Sequence, residues 1–410
     1  MKKIVSAVLA AVLLFSLMSF TAFAGESDRV IDDLRTDTEY YSRFAGSGIT
    51  LNVYNWGEYI SDGSDGILDT VAAFEDLTGI RVNYTTFASN EEMYAKIKSG
   101  GGNYDVIIPS DYMIARMINE GMLAELDFEN IPNLQYIDEA YLGMGHDPEG
   151  KYSVPYTWGM TGLIYNSAQI EEDEMTSWTA LWDERYIGDI LMFSNSRDAF
   201  AIAESILGYS LNTNDKEQLE EAADLLKEQK LLVQAYVMDE IFNKMEGGEA
   251  LVAPYYAGDA LTMMDENPDL AFVYPEEGVN IFVDAMVIPA SSDKKEAAEM
   301  FINFMAEPVI AAANCEYIGY FCPVTEAWDY LDFEYFEPVY PSDEVIEKAE
   351  SFSALSEESN LLMDALWTEI LSYNEDSNRW VGPVFLVFGL AASLGINIYR
   401  HIKKKRSVEN

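Results

Sequence analysis

One carboxylate stands inside an apolar run and is the sharpest candidate for chemistry in this chain. Asp284 interrupts the segment 281–289, IFVDAMVIP. Burial of a carboxylate is costly unless a positive group pairs with it. A buried arginine would satisfy it, but a bound cation explains better why an acid stands at this position. The segment therefore predicts a site for a positively charged ligand.

Two further segments carry polar and aromatic side chains directly after predicted strands. Residues 55–59 (NWGEY) follow the first strand, and residues 110–112 (SDY) follow the third. Binding sites in parallel α/β sheets lie beyond the carboxyl ends of the strands, so we expect both segments to face one crevice. The alternative for Trp56 and Tyr59 is a core position, since aromatic side chains are often buried. The polar residues beside them favour the crevice.

The composition excludes several classes of function. The chain has 25 basic and 71 acidic residues and a formal net charge of −46, which makes nucleic acid a poor partner. Such a charge attracts cations, although solubility or adaptation to salt would also account for it. Of its two histidines, only His146 lies outside the C-terminal tail, which is too few for a zinc site or a histidine-based triad.

No nucleophile–base pair or phosphate loop is found either, so we expect a binding protein without enzymatic activity and without a cofactor. Carboxylate-dependent hydrolysis, as in glycosidases, is the enzymatic alternative. Another alternative is a sensor input domain, but the short tail after Ile402 leaves no room for a signalling module.

Two cysteines, Cys315 and Cys322, lie close together in the segment CEYIGYFC. An even pair outside the cell is a candidate disulfide, because that environment is oxidising. The sequence leaves open whether the pair is oxidised.

The elements that would position these residues follow an alternating α/β order. Residues 51–54, 80–84 and 104–109 are predicted strands, and a helix predicted by apolar periodicity follows each of them. This order is typical of a parallel sheet covered by helices. A second α/β unit contains the predicted elements 154–166, 199–207, 216–230, 250–256, 280–289 and one long helix near 343–371.

The N-terminus has the pattern of an exported protein. Residues 1–24 combine a charged start, an apolar run and a small-x-small cleavage site, and are predicted to be a signal peptide. Residues 25–48 are acidic and polar without a clear period, which predicts a flexible leader.

The C-terminus predicts a membrane anchor. Residues 373–379 form a polar linker, and residues 380–399 are predicted to be a transmembrane helix because no charge occurs between Trp380 and Ile398. The basic residues in 400–410 predict a cytoplasmic tail. The sequence thus predicts a single-pass protein of the cell membrane with its binding body on the extracytoplasmic side.

Six segments, in this order along the chain, resemble the bacterial spermidine/putrescine-binding proteins of polyamine ABC importers. They are VYNWGEYI (53–60), SNEEMYAKIKSG (89–100), YDVIIPSDYMI (104–114), YSVPYTWG (152–159), SWTALWDERYIG (177–188) and CEYIGY (315–320). The resemblance covers about residues 49–372. It implies an α/β fold of the type II periplasmic-binding-protein class, in which two lobes joined by crossing strands close over the ligand by hinge motion.

Carried onto this chain, the family's pattern implies that the strands cross near 152–155 and 282–284. The first lobe would then comprise residues 49–153 and 283–328. The second would comprise residues 154–282 and 329–372.

The resemblance also implies a set of ligand-binding residues. They are Trp56, Tyr59, Ser110, Tyr112, Asp198, Tyr256, Phe282, Asp284 and Tyr320. Asp198 is included only by the resemblance, since its polar surroundings alone favour a surface or N-cap acid. Tyr256 and Phe282 stand where the family usually has tryptophan, and Asn195 stands where a member that binds the longer ligand has a second acid.

The function implied is capture of putrescine or spermidine and delivery to the permease of an ABC importer with its ATPase. The chemistry is consistent with these residues, because carboxylates hold ammonium groups by charge-assisted hydrogen bonds. Aromatic faces cover the methylenes between them and attract the charges. A binding protein for another small organic cation is the alternative. The departures at 195, 256 and 282 leave the identity of the polyamine open.

Overall fold

The computed structural model of the protein describes residues 39–374. Outside them lie the predicted signal peptide, the first part of the leader, the transmembrane segment 380–399 and the tail 400–410. The strands in the described part are β1 (Thr50–Trp56), β2 (Arg81–Phe87), β3 (Val106–Ile107), β4 (Ser153–Asn166), β5 (Ile190–Phe193), β6 (Val233–Val237), β7 (Val252–Tyr256), β8 (Leu270–Val273), β9 (Asn280–Val287) and β10 (Glu350–Ser351).

The strands are accompanied by α-helices and by short 3-10 turns. The α-helices in the described part are α1 (Thr70–Thr78), α2 (Asn90–Lys98), α3 (Asp111–Asn119), α4 (Ser196–Leu207), α5 (Lys216–Lys230), α6 (Glu240–Glu246), α7 (Ala257–Glu266), α8 (Lys295–Met305), α9 (Pro308–Ile318), α10 (Phe333–Phe336), α11 (Asp343–Lys348) and α12 (Glu357–Ser372).

The predicted β-α-β-α-β-α order at the start of the chain is confirmed. β1 pairs in parallel with β2 on one side and with β3 on the other. Helix α1 begins at the N-cap Asp69 and ends at Gly79, which adopts the left-handed conformation that glycine tolerates best (φ 72°). Helix α2 begins at Ser89, whose side chain accepts the backbone N–H of Glu92. We call this sheet, with α1–α3, the first lobe.

The second lobe is built around a separate set of parallel strands. β5 lies between β6 and β7 and pairs in parallel with both. Helices α4 and α5 pack against each other, and α12 packs on α5. We call the sheet β7-β5-β6, with α4–α7, the second lobe.

Two long strands connect the lobes. β4 has 14 residues, all buried, and its first half pairs antiparallel with β9. The second half of β4 pairs instead with β7 and β8. β9 also pairs with β3, so the strand order is β2-β1-β3-β9-β4-β7-β5-β6. Because β4 pairs with strands of both lobes and β9 pairs with β3 and with β4, the junction between the lobes lies along these two strands.

The predicted two-lobed α/β solute-binding fold agrees with this architecture. The prediction of a C-terminal transmembrane helix in addition to this fold is corrected. In residues 39–374, no helix is both long enough and apolar enough to cross a membrane. The segment on which that prediction rested, 380–399, lies outside the described residues.

The single long helix predicted near residues 343–371 is also wrong. The chain forms α11, then the short strand β10, and begins a new helix at the N-cap Ser356. β10 pairs in parallel with β9 at Asn280 and Ile281. Hydrogen bonds to a neighbouring strand therefore replace the helical ones in this stretch, which apolar periodicity alone does not reveal.

Part of the predicted leader is folded against the first lobe. Residues 39–47 form turns, and Tyr41 is buried against Phe304 with ring centroids 6.3 Å apart. The hydroxyl of Tyr40 donates to the backbone oxygen of Asn130 at 2.6 Å.

Candidate functional site

A cleft of about 970 Å³ lies between the two lobes, beside the crossing strands β4 and β9. All nine residues of the predicted ligand site line it. Trp56 is the last residue of β1 and Tyr59 lies in the loop after it, while Ser110 and Tyr112 lie at the start of α3. The tertiary structure thus brings into one cavity side chains that are more than 260 positions apart in sequence.

Asp284 lies in the middle of β9 and is 5% exposed. The hydroxyl of Tyr59 donates to its Oδ2 at 2.7 Å and is itself 2.7 Å from the hydroxyl of Thr157. Burial raises the pKa of Asp284 to about 6, and the nearby hydroxyls of Ser110 and Tyr59 oppose that rise. Its Oδ1 is buried and makes no hydrogen bond to a described residue.

Asp198 lies in the first turn of α4 on the other side of the cleft and is 5% exposed. Its Oδ2 accepts hydrogen bonds from Tyr256 Oη and from Asn195 Nδ2, both at 2.7 Å. Burial raises its pKa to about 6, and the hydrogen bond from Tyr256 opposes this. Asn195 also caps α4 through the backbone N–H of Arg197. The residue that departs from the family pattern therefore orients the neighbouring acid.

Sequence reasoning missed another acid of this cleft, Asp259, which like Asp198 and Asp284 is bonded to a tyrosine hydroxyl. It lies in the first turn of α7, three residues after Tyr256, and the hydroxyl of Tyr320 donates to its Oδ2 at 2.7 Å. Burial raises the pKa of Asp259 to about 7, with the Tyr320 hydrogen bond opposing and Asp239 and Asp284 adding to the rise. A signal was present, since Asp259 interrupts the apolar start of a helix that directly follows the predicted strand ending at Tyr256.

Each of the three acids is thus paired with a tyrosine hydroxyl. The pairs are Tyr59–Asp284, Tyr256–Asp198 and Tyr320–Asp259. None of the ion pairs found among the described residues includes any of these acids. The buried arginine considered as a partner for Asp284 is therefore not seen bonded to it in the described part of the chain. The described lining of the cleft contains no basic side chain, and Arg197, which lies outside that lining, lowers the pKa of Asp198 against the effect of burial without forming an ion pair with it.

An aromatic wall connects the acids. Phe282 packs on Tyr256 and on Tyr320 with ring centroids 5.4 and 5.9 Å apart, and Tyr320 packs on Tyr59 at 5.4 Å. Two glycines make room for these rings. A Cβ on Gly258 would lie 2.2 Å from the Tyr320 ring, and a Cβ on Gly159 would lie 2.7 Å from the Phe282 ring.

The first lobe supplies the opposite edge of the cleft. Trp56 is partly buried and packs on Phe87 at 4.6 Å. The hydroxyl of Tyr112 donates to Glu91 Oε1 at 2.9 Å and accepts from Asn90 Nδ2 at 3.1 Å. The core alternative for Tyr59 is correct in part, because this residue is only 7% exposed and nevertheless lines the cleft.

This arrangement suits recognition of a cation. His146 is buried away from the cleft lining, and burial lowers its pKa to about 4, so it stays neutral near pH 7. No cluster of three or more potential metal ligands is found among the described side chains. Carboxylates and tyrosine rings that line one cavity can bind ammonium groups through hydrogen bonds and through the aromatic faces.

Both cysteines are buried, and their thiols are free in this structure. They flank Tyr320 in sequence, with Cys315 in α9. Their oxidation to a disulfide stays a prediction.

Comparisons with known proteins place this architecture in a family. The family model described as bacterial extracellular solute-binding protein matches residues 69–334. The chain is similar to the spermidine/putrescine-binding periplasmic protein of Salmonella typhimurium, with 36% identity over 75% of this chain and 87% of that protein. The protein of the same name from Escherichia coli K12 is 35% identical over 73% of this chain and 86% of its own length.

Solved structures agree. The spermidine/putrescine ABC transporter substrate-binding protein of Streptococcus pneumoniae superposes with a TM-score of 0.69 and 35% identity, covering 79% of this chain and 98% of that one.

The predicted location is corrected by the same comparisons. The Salmonella and Escherichia relatives are named as periplasmic proteins, and the described residues contain no membrane span. The prediction of a single-pass membrane protein is therefore withdrawn. The family match and the identity to these relatives, together with the two-lobed fold, show that this chain belongs to the bacterial extracellular solute-binding proteins of ABC transporters.

Proposed function

We propose that this protein captures a polyamine of the putrescine or spermidine class between its two lobes and delivers it to the permease of an ABC importer. One observation carries the proposal: two buried carboxylates, Asp198 and Asp284, and the partly buried Asp259, each oriented by a tyrosine hydroxyl, line an aromatic cleft whose described lining contains no basic side chain. A molecule with several ammonium groups separated by methylenes would supply the missing charges. The names of the relatives support the same ligand class.

In this proposal the acids and rings have separate roles. Asp198, Asp259 and Asp284 would each accept hydrogen bonds from an ammonium group. Tyr256, Phe282 and Tyr320 would cover the methylenes, with Trp56, Tyr59, Ser110 and Tyr112 completing the site from the first lobe.

The third acid bears on the length of the ligand. Asn195 replaces an acid beside Asp198, which by itself favours a diamine. Asp259 restores a third carboxylate at a different position, on α7. Three carboxylates suit a triamine such as spermidine at least as well as a diamine, so the replacement at 195 does not by itself select putrescine.

Isothermal calorimetry of the purified protein with putrescine, cadaverine, spermidine and spermine tests the proposal. We expect at least one of them to bind with a dissociation constant in the micromolar range or below, which corresponds to about −8 kcal/mol. If none binds more tightly than about 1 mM while another small organic cation does, the ligand is that cation and not a polyamine.

A further inference from the structure

Arg197 is a buried arginine outside the cleft lining whose charge is not matched in this structure. It is the second residue of α4 in the second lobe and is 6% exposed. Its Nη2 donates to Asn212 Oδ1 at 2.8 Å and to the backbone oxygen of Ser353 at 3.3 Å. Its Nε and Nη1 make no hydrogen bond to a described group. Because arginine stays charged in proteins, a buried guanidinium with unmatched donors is costly.

Across the cleft, Asp111 has a buried carboxylate oxygen without a hydrogen-bond donor among the described residues. It is the first residue of α3 in the first lobe, and its side chain is fully buried. Its Oδ1 accepts the backbone N–H of Tyr112 at 2.6 Å, whereas its buried Oδ2 accepts no hydrogen bond from a described group. Burial raises the pKa of Asp111 well above its usual range, and the charge of Arg197 acts against that rise. The first lobe thus presents an unmatched acceptor and the second presents unmatched donors.

An aromatic contact already joins the two lobes beside these groups. The ring of Tyr112 meets the ring of Phe352 edge-on at 6.0 Å, and the guanidinium of Arg197 lies 4.5 Å from the centre of the Phe352 ring. The backbone N–H of Ser353 donates to Asn212 at 2.7 Å, which fastens this segment to the second lobe. Because Tyr112 and Arg197 both contact the ring of Phe352, the start of α3 lies close to the start of α4.

We propose that Asp111 and Arg197 are the two halves of a latch that holds the lobes closed over the ligand. On closure, Oδ2 of the Asp111 carboxylate accepts a hydrogen bond from the guanidinium of Arg197. A charge-assisted hydrogen bond removed from water is strong, and it is available only when the lobes approach. The latch rests on the proposed capture of a polyamine, because binding of that ligand drives closure.

The latch predicts a specific kinetic signature. An interaction that forms after encounter slows release of the ligand and has little effect on its association. Asp111 lines the cleft and Arg197 does not. Both act as positioning residues in the latch, since the effect does not require either of them to touch the ligand. A merely structural role of Arg197 within the second lobe would instead involve Glu204, which lies on the same helix and is 1% exposed.

Stopped-flow measurement of polyamine release tests the latch in wild type, Asp111→Asn, Arg197→Met and the double variant. We expect each single variant to release ligand about tenfold faster with an association rate within about twofold of wild type, as an off-rate effect requires. The double variant should release no faster than the faster single variant, because the second change removes an interaction that is already lost. Asp111→Asn preserves shape and decides the question even where Arg197→Met does not fold.

Glu204→Gln is the matched control: burial raises the pKa of Glu204 to about 8, so the variant replaces a largely neutral buried carboxyl on the same helix and should leave the release rate unchanged. If Asp111→Asn releases the ligand at the wild-type rate, or if only Glu204→Gln releases it faster, the latch is overturned. The proposed function would still stand in either case. If the wild-type protein binds no polyamine, the proposed function fails, and the latch that rests on it fails too.

Discussion

The hydroxyl of Tyr320 donates a hydrogen bond to Oδ2 of Asp259 across 2.7 Å. This contact joins the segment after α9 to the first turn of α7 and places this acid in the cleft. The pair repeats the relationships of Tyr59 with Asp284 and of Tyr256 with Asp198. In each pair the tyrosine hydroxyl donates to Oδ2 of the carboxylate and so fixes its orientation. The following predictions test what these acids contribute.

Asp284→Asn should weaken polyamine binding at least about tenfold. The substitution removes the charge that a buried ammonium group would meet, and hydrogen bonds to charged groups contribute about 1.5–3 kcal/mol. Calorimetry at neutral pH measures the change. Asp173→Asn, an equal change of charge at an exposed position, serves as the control and should bind like wild type. An unchanged affinity in Asp284→Asn would remove this residue from the site.

Asp259→Asn should weaken binding of the preferred polyamine by a similar factor, whereas Tyr320→Phe should cost less, about fivefold. The acid would contact the ligand directly, whereas the hydroxyl only orients the acid and so contributes one neutral-to-charged hydrogen bond. Titrating both variants with putrescine and spermidine shows which amine Asp259 holds. A larger loss for spermidine than for putrescine means that Asp259 binds the third amine. Equal binding by wild type and Asp259→Asn would contradict a role for this acid.

Binding should weaken as the pH falls from about 7.5 to 5. The pKa values of Asp198 and Asp284 are raised to about 6 and that of Asp259 to about 7, so these acids take up protons in that range when no ligand is bound. A cationic ligand favours the ionised forms, so binding near pH 6.5 should release protons. Calorimetry in buffers with different enthalpies of ionisation counts them. Binding that is independent of pH over this range would show that the three acids are ionised before the ligand arrives.

The same three acids determine whether the stability of the ligand-free protein rises or falls with pH. Each acid has a folded-state pKa above its unfolded value of about 3.9, so the folded state binds more protons between pH 4 and 7. Their contribution to the free energy of unfolding therefore falls as pH rises through this window. In Asp259→Asn the free energy of unfolding should therefore decrease less with rising pH than in wild type. Thermal melts of wild type and of this variant from pH 4.5 to 7.5 measure the difference.

Gly258→Ala should both destabilise the protein and weaken binding. The new Cβ would lie 2.2 Å from the Tyr320 ring and 2.9 Å from the backbone oxygen of Gly319, so the ring must move away from Asp259. Overpacking of this kind costs about 1–3 kcal/mol. Gly145→Ala is the control, because a Cβ there meets nothing within 4 Å. A wild-type melting temperature and affinity in Gly258→Ala would contradict the close packing of Tyr320 on α7.

The two-lobed α/β fold, the order of the first three strands and their helices, and nine of the residues that line the cleft could be predicted from the sequence, whereas the transmembrane helix predicted with that fold is corrected. These features rest on local patterns: apolar alternation, N-cap residues such as Asp69 and Ser89, and Gly79 at a helix end. Asp284 could be recognised because an acid inside an apolar run conflicts with its surroundings. The resemblance to polyamine-binding proteins supplied the residues whose local context is not distinctive, above all Asp198.

Only the tertiary structure decided which residues of distant segments face one another. Asp259 joined the site because α7 starts beside the loop that carries Tyr320, a contact between positions 61 residues apart. The stretch 343–371 split because β10 pairs with β9, which lies 70 positions away at Glu350 and Asn280. Hydrogen bonds and burial between segments far apart in sequence depend on the whole packed chain, so periodicity within one segment cannot contain them.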